Sequence, residues 1–138
     1  MANKIKLLFV CVENSNRSQM SQAFAKILGG GKVKAYSAGS KPSGVINPKA
    51  IASMKELGYD LSSHSSKSLE DVKDQSPFDV VVTMGCGDTC PLFPGRRYDD
   101  WQLPDPAGQS VEAVRPIRDE IEGRVRVLLS ELGIEAAV

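Results

Sequence analysis

The sequence predicts a single α/β domain spanning residues 1–138, with a central parallel sheet of about four strands flanked by helices. Three observations carry this expectation. Short, almost wholly apolar runs suit strands covered on both faces. Between them lie segments whose apolar residues recur at helical spacing. The length fits one core of ordinary size, and strands alternating with helices form a mostly parallel sheet. No internal repeat, low-complexity stretch or interdomain linker divides the chain.

The first run, Ile5 to Val12, reads Ile-Lys-Leu-Leu-Phe-Val-Cys-Val and suits a central strand. A polar stretch follows, and then Met20, Ala23, Phe24, Ile27 and Leu28 mark a helix that Gly29-Gly30-Gly31 stops. Val33 to Ser37 is a second short strand leading into a loop through Gly39, Pro42 and Gly44. Asn47-Pro48 has the form of a cap followed by proline at the first helical position. That helix is expected to turn Ile51, Met54 and Leu57 inward and to end at Gly58. Phe78 to Met84 is a third buried strand, and Gly85 to Gly95 reads as a loop. From Ser110 to Leu132, Val114, Ile117, Ile121, Val125, Leu128 and Leu132 mark a long amphipathic helix. Its Glu112, Asp119, Glu120 and Glu122 alternate with arginines and read as a solvated face.

Lys+Arg and Asp+Glu both number 17, so the formal net charge is zero. A general binder of nucleic acid or of membrane surfaces carries a basic excess, and this chain has none. Any anion must therefore be captured by a local arrangement. The start of the chain shows no apolar leader with a small-residue cleavage site, and no apolar run approaches membrane-spanning length. These features place the protein in the cytoplasm. Three cysteines without a secretion signal do not suggest a structural disulfide framework. In a reducing compartment they are catalytic, metal-binding or buried.

The most informative segment is Cys11-Val12-Glu13-Asn14-Ser15-Asn16-Arg17-Ser18, between the first strand and the first helix. A loop there directs backbone N–H groups and a positive helix end at one spot, which suits a tetrahedral oxyanion such as phosphate or arsenate. Arg17 adds a planar, two-pronged contact to two of its oxygens. The same field favours the thiolate form of Cys11, the form that acts as a nucleophile. The Ser18 hydroxyl is placed to donate to that thiolate. Asn14 tolerates the left-handed conformation that a tight anion-wrapping turn needs. The bland alternative is a buried cysteine closing a strand and a surface arginine opening a helix.

The stretch Cys11-x5-Arg17-Ser18 after an apolar strand, with Asp105-Pro106 far downstream, resembles the low-molecular-weight protein tyrosine phosphatase superfamily. Asn14-Ser15-x-Arg17-Ser18-Gln19-Met20, Ser37-Ala38-Gly39 and Met84-Gly85-Cys86-Gly87-Asp88 resemble its thioredoxin-coupled arsenate reductase branch. The resemblance runs from Lys6 to about Leu132. It implies a low-molecular-weight phosphatase-like fold and three-thiol chemistry in which Cys86 and Cys90 resolve Cys11. It also implies that Asp105 protonates the leaving hydroxide, and that electrons come from thioredoxin or a related thiol reductant with no bound cofactor. The implied partners are arsenate or a phosphate-like oxyanion and the reductant, with no nucleic acid and no membrane.

Read on their own residues, Cys86 and Cys90 lie after the third strand, at the carboxyl edge where α/β sites collect. Gly85 and Gly87 suit a loop that moves. Core cysteines are an alternative, and so is zinc held by three Cys and the lone His64, although the spacing matches no common finger or ribbon. His64 itself reads as a polar loop residue or a neighbour of a helix cap, with no role. Asp105, beside a bound anion and a thiolate, is expected to hold its proton as a general acid must; its alternative is an ordinary Asp-Pro turn.

Several positions depart from the pattern of the superfamily. Ala107-Gly108 follows Asp105-Pro106 where the phosphatases place an aromatic pocket wall, which favours a small free oxyanion over a phosphorylated side chain. Asn16 stands where relatives often have Cys. Gln22 and Lys67 stand where some relatives have acidic residues around a potassium ion. The Cys86–Cys90 spacing is shorter than in some thioredoxin-coupled members. The competing readings are a low-molecular-weight tyrosine phosphatase using Cys11, Arg17 and Asp105, and a non-enzymatic redox sensor or oxyanion-binding module.

Overall fold

The computed structural model describes residues 4–84, 95–103 and 110–136. The apolar run at the start of the chain becomes β1 (Ile5–Cys11), and the segment after the polar stretch becomes α1 (Arg17–Gly29). Gly30 closes α1 at φ 56°, a left-handed turn that glycine adopts without penalty, and its N–H donates to the Lys26 carbonyl. β2 (Val33–Gly39) continues two residues beyond the predicted strand. α2 (Pro48–Lys55) starts as predicted, with the Asn47 side chain accepting from the Lys49 N–H.

α3 (Leu69–Val72) is a single turn held by a reciprocal cap between Ser68 and Asp71, too short for any periodic signal. Then come β3 (Phe78–Thr83), β4 (Gly95–Asp100) and α4 (Val111–Glu131), the last capped by the Ser110 hydroxyl. Among the described residues, no helix is long and apolar enough to cross a membrane.

The four strands form one parallel sheet in the order β2-β1-β3-β4. Successive side chains of a strand point to opposite faces. Leu7, Phe9 and Cys11 accordingly join a large core with Met20, Phe24 and Leu28 of α1 and Ile121, Val125 and Leu128 of α4. Leu8 and Val10 join a smaller core with Ala38, Val72 and Val81. Each fully buried leucine or phenylalanine contributes about 1.5–3 kcal/mol relative to an exposed one. The Cys11 side chain therefore sits on the face covered by α1.

The structure corrects the sequence reading in three places. Gly95 opens a strand and does not close a loop. Leu57 is 46% exposed, because α2 ends at Lys55 and the following residues form a turn. Arg118 does not belong to the solvated face of α4. It is 8% exposed, and its Nη1 donates to the Ser53 carbonyl at 2.8 Å and to Glu56 at 2.8 Å. Other charges on α4 do pair with one another in solvent, Arg124 with Glu120 and Arg126 with Glu122.

Candidate active site

Parallel strands end together, and in this sheet the chain runs from β1 outward to β2 and then returns to the other side of β1 as β3. The crevice beyond such a reversal is where open α/β sheets bind ligands. Cys11, the last residue of β1, stands there, paired in register with Gly39 of β2. The residue is buried, 3% exposed, and its sulfur is not in a disulfide.

Residues 12–16 connect β1 to α1, and their carbonyls are tied to neighbouring segments. Val12 O accepts from Lys41 N at 2.8 Å, Glu13 O from Ser43 N at 3.0 Å, and Ser15 O from Asn47 N at 2.9 Å. Asn16 O accepts from Met20 N at 2.9 Å, the opening turn of α1. These carbonyls are committed, and the loop leads into the positive end of a 13-residue helix, an arrangement that suits an anion. The Asn16 amide is buried with neither Nδ2 nor Oδ1 hydrogen-bonded. It occupies the N-cap position of α1 without making a cap bond.

Asn14 has φ 50°, the left-handed conformation expected of it, and is fully buried. Its side chain organises the site. Nδ2 donates to Ser18 Oγ at 2.8 Å, while Oδ1 accepts from the Lys67 backbone N–H at 2.7 Å and from Gln19 Nε2 at 2.9 Å. Ser18 Oγ lies 2.9 Å from Cys11 Sγ. Arg17 is 8% exposed, and its Nη1 donates to the Leu103 carbonyl at 3.3 Å. That contact ties the loop to the segment whose sequence continues to Asp105.

The predicted loop residues Val12, Glu13, Asn14, Ser15, Asn16, Arg17 and Ser18 thus follow Cys11 as one hydrogen-bonded segment, and Ser18 Oγ is the group of it in contact with the sulfur. Cys86, Cys90 and Asp105 lie outside the described residues. Met84, the last described residue before the two cysteines, is buried, and its N–H donates to the Val10 carbonyl next to Cys11.

The family described as low molecular weight phosphotyrosine protein phosphatase matches residues 6–137. The chain belongs to that family. It is 42% identical over 130 residues to the glutaredoxin arsenate reductase of a Synechocystis species, covering 92% of this chain and 98% of the relative. A solved structure of an arsenate reductase in the phosphate-binding state superposes with a TM-score of 0.81 at 41% identity, covering 92% of this chain and 98% of that one. A thioredoxin-dependent arsenate reductase of Corynebacterium glutamicum superposes with a TM-score of 0.78 at 37% identity, covering 96% of this chain and 64% of that one.

At the two positions where the sequence departs from the superfamily's acidic residues, the side chains present are engaged in hydrogen bonds. Gln22 Nε2 donates to the Ala35 carbonyl, and Gln22 Oε1 already accepts from Ser37 Oγ. Lys67 supplies an ammonium that donates to the Ser65 carbonyl at 3.0 Å. Among the described residues, no group of three His, Cys, Asp or Glu side chains is arranged to hold a metal.

Sequence reasoning missed what lies behind Asn14. Gln19 is fully buried, and its Nε2 also donates to the Asn14 carbonyl and to the Ser65 carbonyl, each at 2.9 Å. His64, the residue left without a role, follows the short 3-10 turn Leu61–Ser63 as its C-cap. Its Nδ1 is 3.0 Å from Gln19 Oε1, and its Nε2 is 2.6 Å from the Tyr59 hydroxyl. Burial, with lesser contributions from Lys26 and Lys67, lowers the imidazole pKa to about 4. The segment that carries His64 is drawn to the loop by β2, where Gly39 N donates to the Lys67 carbonyl at 2.8 Å. A polar residue in the motif, Gln19, was the available signal. Its partner 45 residues away was not legible.

Proposed function

We propose that this protein is an arsenate reductase that reduces arsenate to arsenite through a Cys11–Cys86–Cys90 thiol relay. The observation that carries the reading is the buried Cys11 sulfur 2.9 Å from the Ser18 hydroxyl, at the mouth of an anion loop, in a chain that holds two further thiols. The unpartnered Asn16 amide in that loop adds polar capacity for an oxyanion. The arsenate reductases to which the chain is similar over more than nine-tenths of its length support the choice of arsenate.

Arsenate binds to the loop amides and to Arg17. The Cys11 thiolate attacks arsenic(V), and one hydroxide departs as water with the proton of Asp105. The Cys86 thiolate then attacks the Cys11 sulfur. The S–As bond breaks, its electron pair stays on arsenic, arsenite leaves, and a Cys11–Cys86 disulfide forms. Cys90 attacks Cys86, releasing the Cys11 thiolate and leaving a Cys86–Cys90 disulfide, which a dithiol carrier reduces. Two thiols are oxidised for each arsenic reduced. A reducing compartment, the cytoplasm, suits this cycle because the thiols must be restored after every turnover.

The carrier is thioredoxin or a related dithiol protein. One similar protein is named for thioredoxin and another for glutaredoxin, so the assay runs both. Arsenate-dependent NADPH consumption is followed with thioredoxin and its reductase, and separately with glutaredoxin, glutathione and glutathione reductase. Turnover with either system that disappears in Cys90→Ser and in Cys86→Ser supports the relay. Absence of turnover with both, together with hydrolysis of an aryl phosphate that survives Cys86→Ser, would establish the phosphatase reading instead.

A further inference from the structure

Buried polar side chains satisfy their hydrogen bonds almost without exception, so the exceptions carry information. Among the described residues, the buried side-chain atoms without a partner are Asn16 Nδ2, Asn16 Oδ1 and Ser40 Oγ. Both residues flank Cys11. Ser40 follows Gly39, the strand partner of Cys11, and its N–H donates to the Cys11 carbonyl at 3.3 Å. Asn16 lies in the loop that leads from Cys11 to Arg17 and is 6% exposed. It stands at the N-cap of α1, where an Asn oxygen ordinarily accepts from the first turn, and makes no such bond. Asn14, two residues earlier, has both amide atoms bonded. Two idle polar atoms in a buried amide cost stability, and that cost is recovered when a polar ligand occupies the loop.

We infer that Asn16 is a specificity-determining residue that selects oxyanions carrying a proton. Arg17 and a helix N-terminus favour negative charge of any kind, and every tetrahedral oxyanion offers them lone pairs. An amide differs, because it brings an acceptor as well as donors. Asn16 Nδ2 donates to a bare oxygen of the bound anion, and Oδ1 accepts from its O–H. Inorganic phosphate and arsenate keep at least one proton at neutral pH, and sulfate keeps none. Sulfate therefore sets a lone pair against Oδ1 and leaves that oxygen buried and unsatisfied, a mismatch of pairing and not of shape. A cysteine, which relatives often have at this position, offers only a weak donor and a weak acceptor, so this selection belongs to chains with the amide. The selection rests on the reading of the loop as the oxyanion site of a reductase, and it names which oxyanions that site admits.

Inorganic phosphate and sulfate are the probes, so no step of the test uses arsenate. In a Cys86→Ser, Cys90→Ser background Cys11 is the sole thiol. Each anion is titrated for its protection of Cys11 against iodoacetamide at pH 7, with ionic strength held constant by chloride. The loop with Asn16 is expected to be half-protected by phosphate at a concentration roughly tenfold to a hundredfold below that of sulfate. Asn16→Leu, of similar size and with no polar atom, is expected to bring that ratio below about threefold. Asn16→Ser, whose hydroxyl both donates and accepts, is expected to keep most of the preference. Asn16→Leu also removes two idle buried atoms, so its urea midpoint in chloride buffer is expected to equal or exceed that of the protein with Asn16. An amide with a structural role would not give that result. Asn16→Ala reads the same quantities where leucine overfills the space. The inference is overturned if both anions protect equally in the presence of Asn16, if the apolar variants keep the preference, or if both apolar variants lose stability. Selective protection without arsenate turnover would remove the reductase reading and leave this selection standing, and turnover with equal protection would do the reverse.

Discussion

The end of β2 meets the anion loop so closely that residue 39 has no room for a side chain. A Cβ at Gly39 would stand 2.5 Å from the Val12 carbonyl oxygen, 2.9 Å from Asn14 N and 3.1 Å from Asn14 Cβ. Two of these three atoms are backbone, so no flexible side chain can swing aside. Ordinary contact requires the loop to retreat by roughly 1 Å, and such overpacking costs about 1–3 kcal/mol. The retreat carries Asn14 and the loop amides with it, and a misplacement of that size costs up to about 100-fold in rate. Gly39→Ala is therefore expected to lower the urea midpoint and to reduce kcat/KM for arsenate about tenfold to a hundredfold. Gly31→Ala is the matched control, since a Cβ there meets nothing within 4 Å. Urea titration followed by tryptophan fluorescence, together with the coupled NADPH assay, reads both quantities. A Gly39→Ala protein with unaltered midpoint and turnover would refute the claim that this glycine shapes the loop.

Arg118→Leu is expected to destabilise the fold by about 1–3 kcal/mol in urea titration, because it strips the buried Ser53 carbonyl of its donor. Hydrogen bonds from Arg115 and then Arg118 hold the exposed Glu56 carboxyl down to about 2, against an ordinary 4.5. A depressed carboxylate stabilises the fold above the unfolded value, so this contribution is lost as pH falls from about 4.5 toward 2, and Glu56→Gln should flatten the stability curve over that window. For His64, with its pKa lowered to about 4 from 6.5, the unfolded state binds the proton more readily. Stability therefore falls as pH drops from 6.5 toward 4, and the slope measured by urea midpoints across that range should be shallower in His64→Asn.

Where information was local, the sequence was legible. The run Ile5–Cys11 is apolar because β1 is central and covered on both faces, and the caps at Asn47 and Ser110 lie next to the helices they start. Where structure depends on a neighbour, the signal was weak. β4 reads Gly-Arg-Arg-Tyr-Asp-Asp, with alternate residues half-buried, and it is a strand because β3 offers it hydrogen bonds at the edge of the sheet. Arg118 looked like one more charge on a polar helix face. Its burial follows from the packing of α4 against the end of α2.

The sequence by itself determined the fold class, the family and the contiguous machinery from Cys11 to Ser18, because apolar periodicity and an eight-residue loop are written in adjacent letters. The tertiary structure alone decided that Gly39 seats the loop, that the Lys67 amide fixes Asn14, and that His64 and Tyr59 stand behind Gln19 and that loop. Those contacts join residues separated by up to 53 positions, and they exist only because parallel pairing draws the end of β2 and the segment after it against the end of β1.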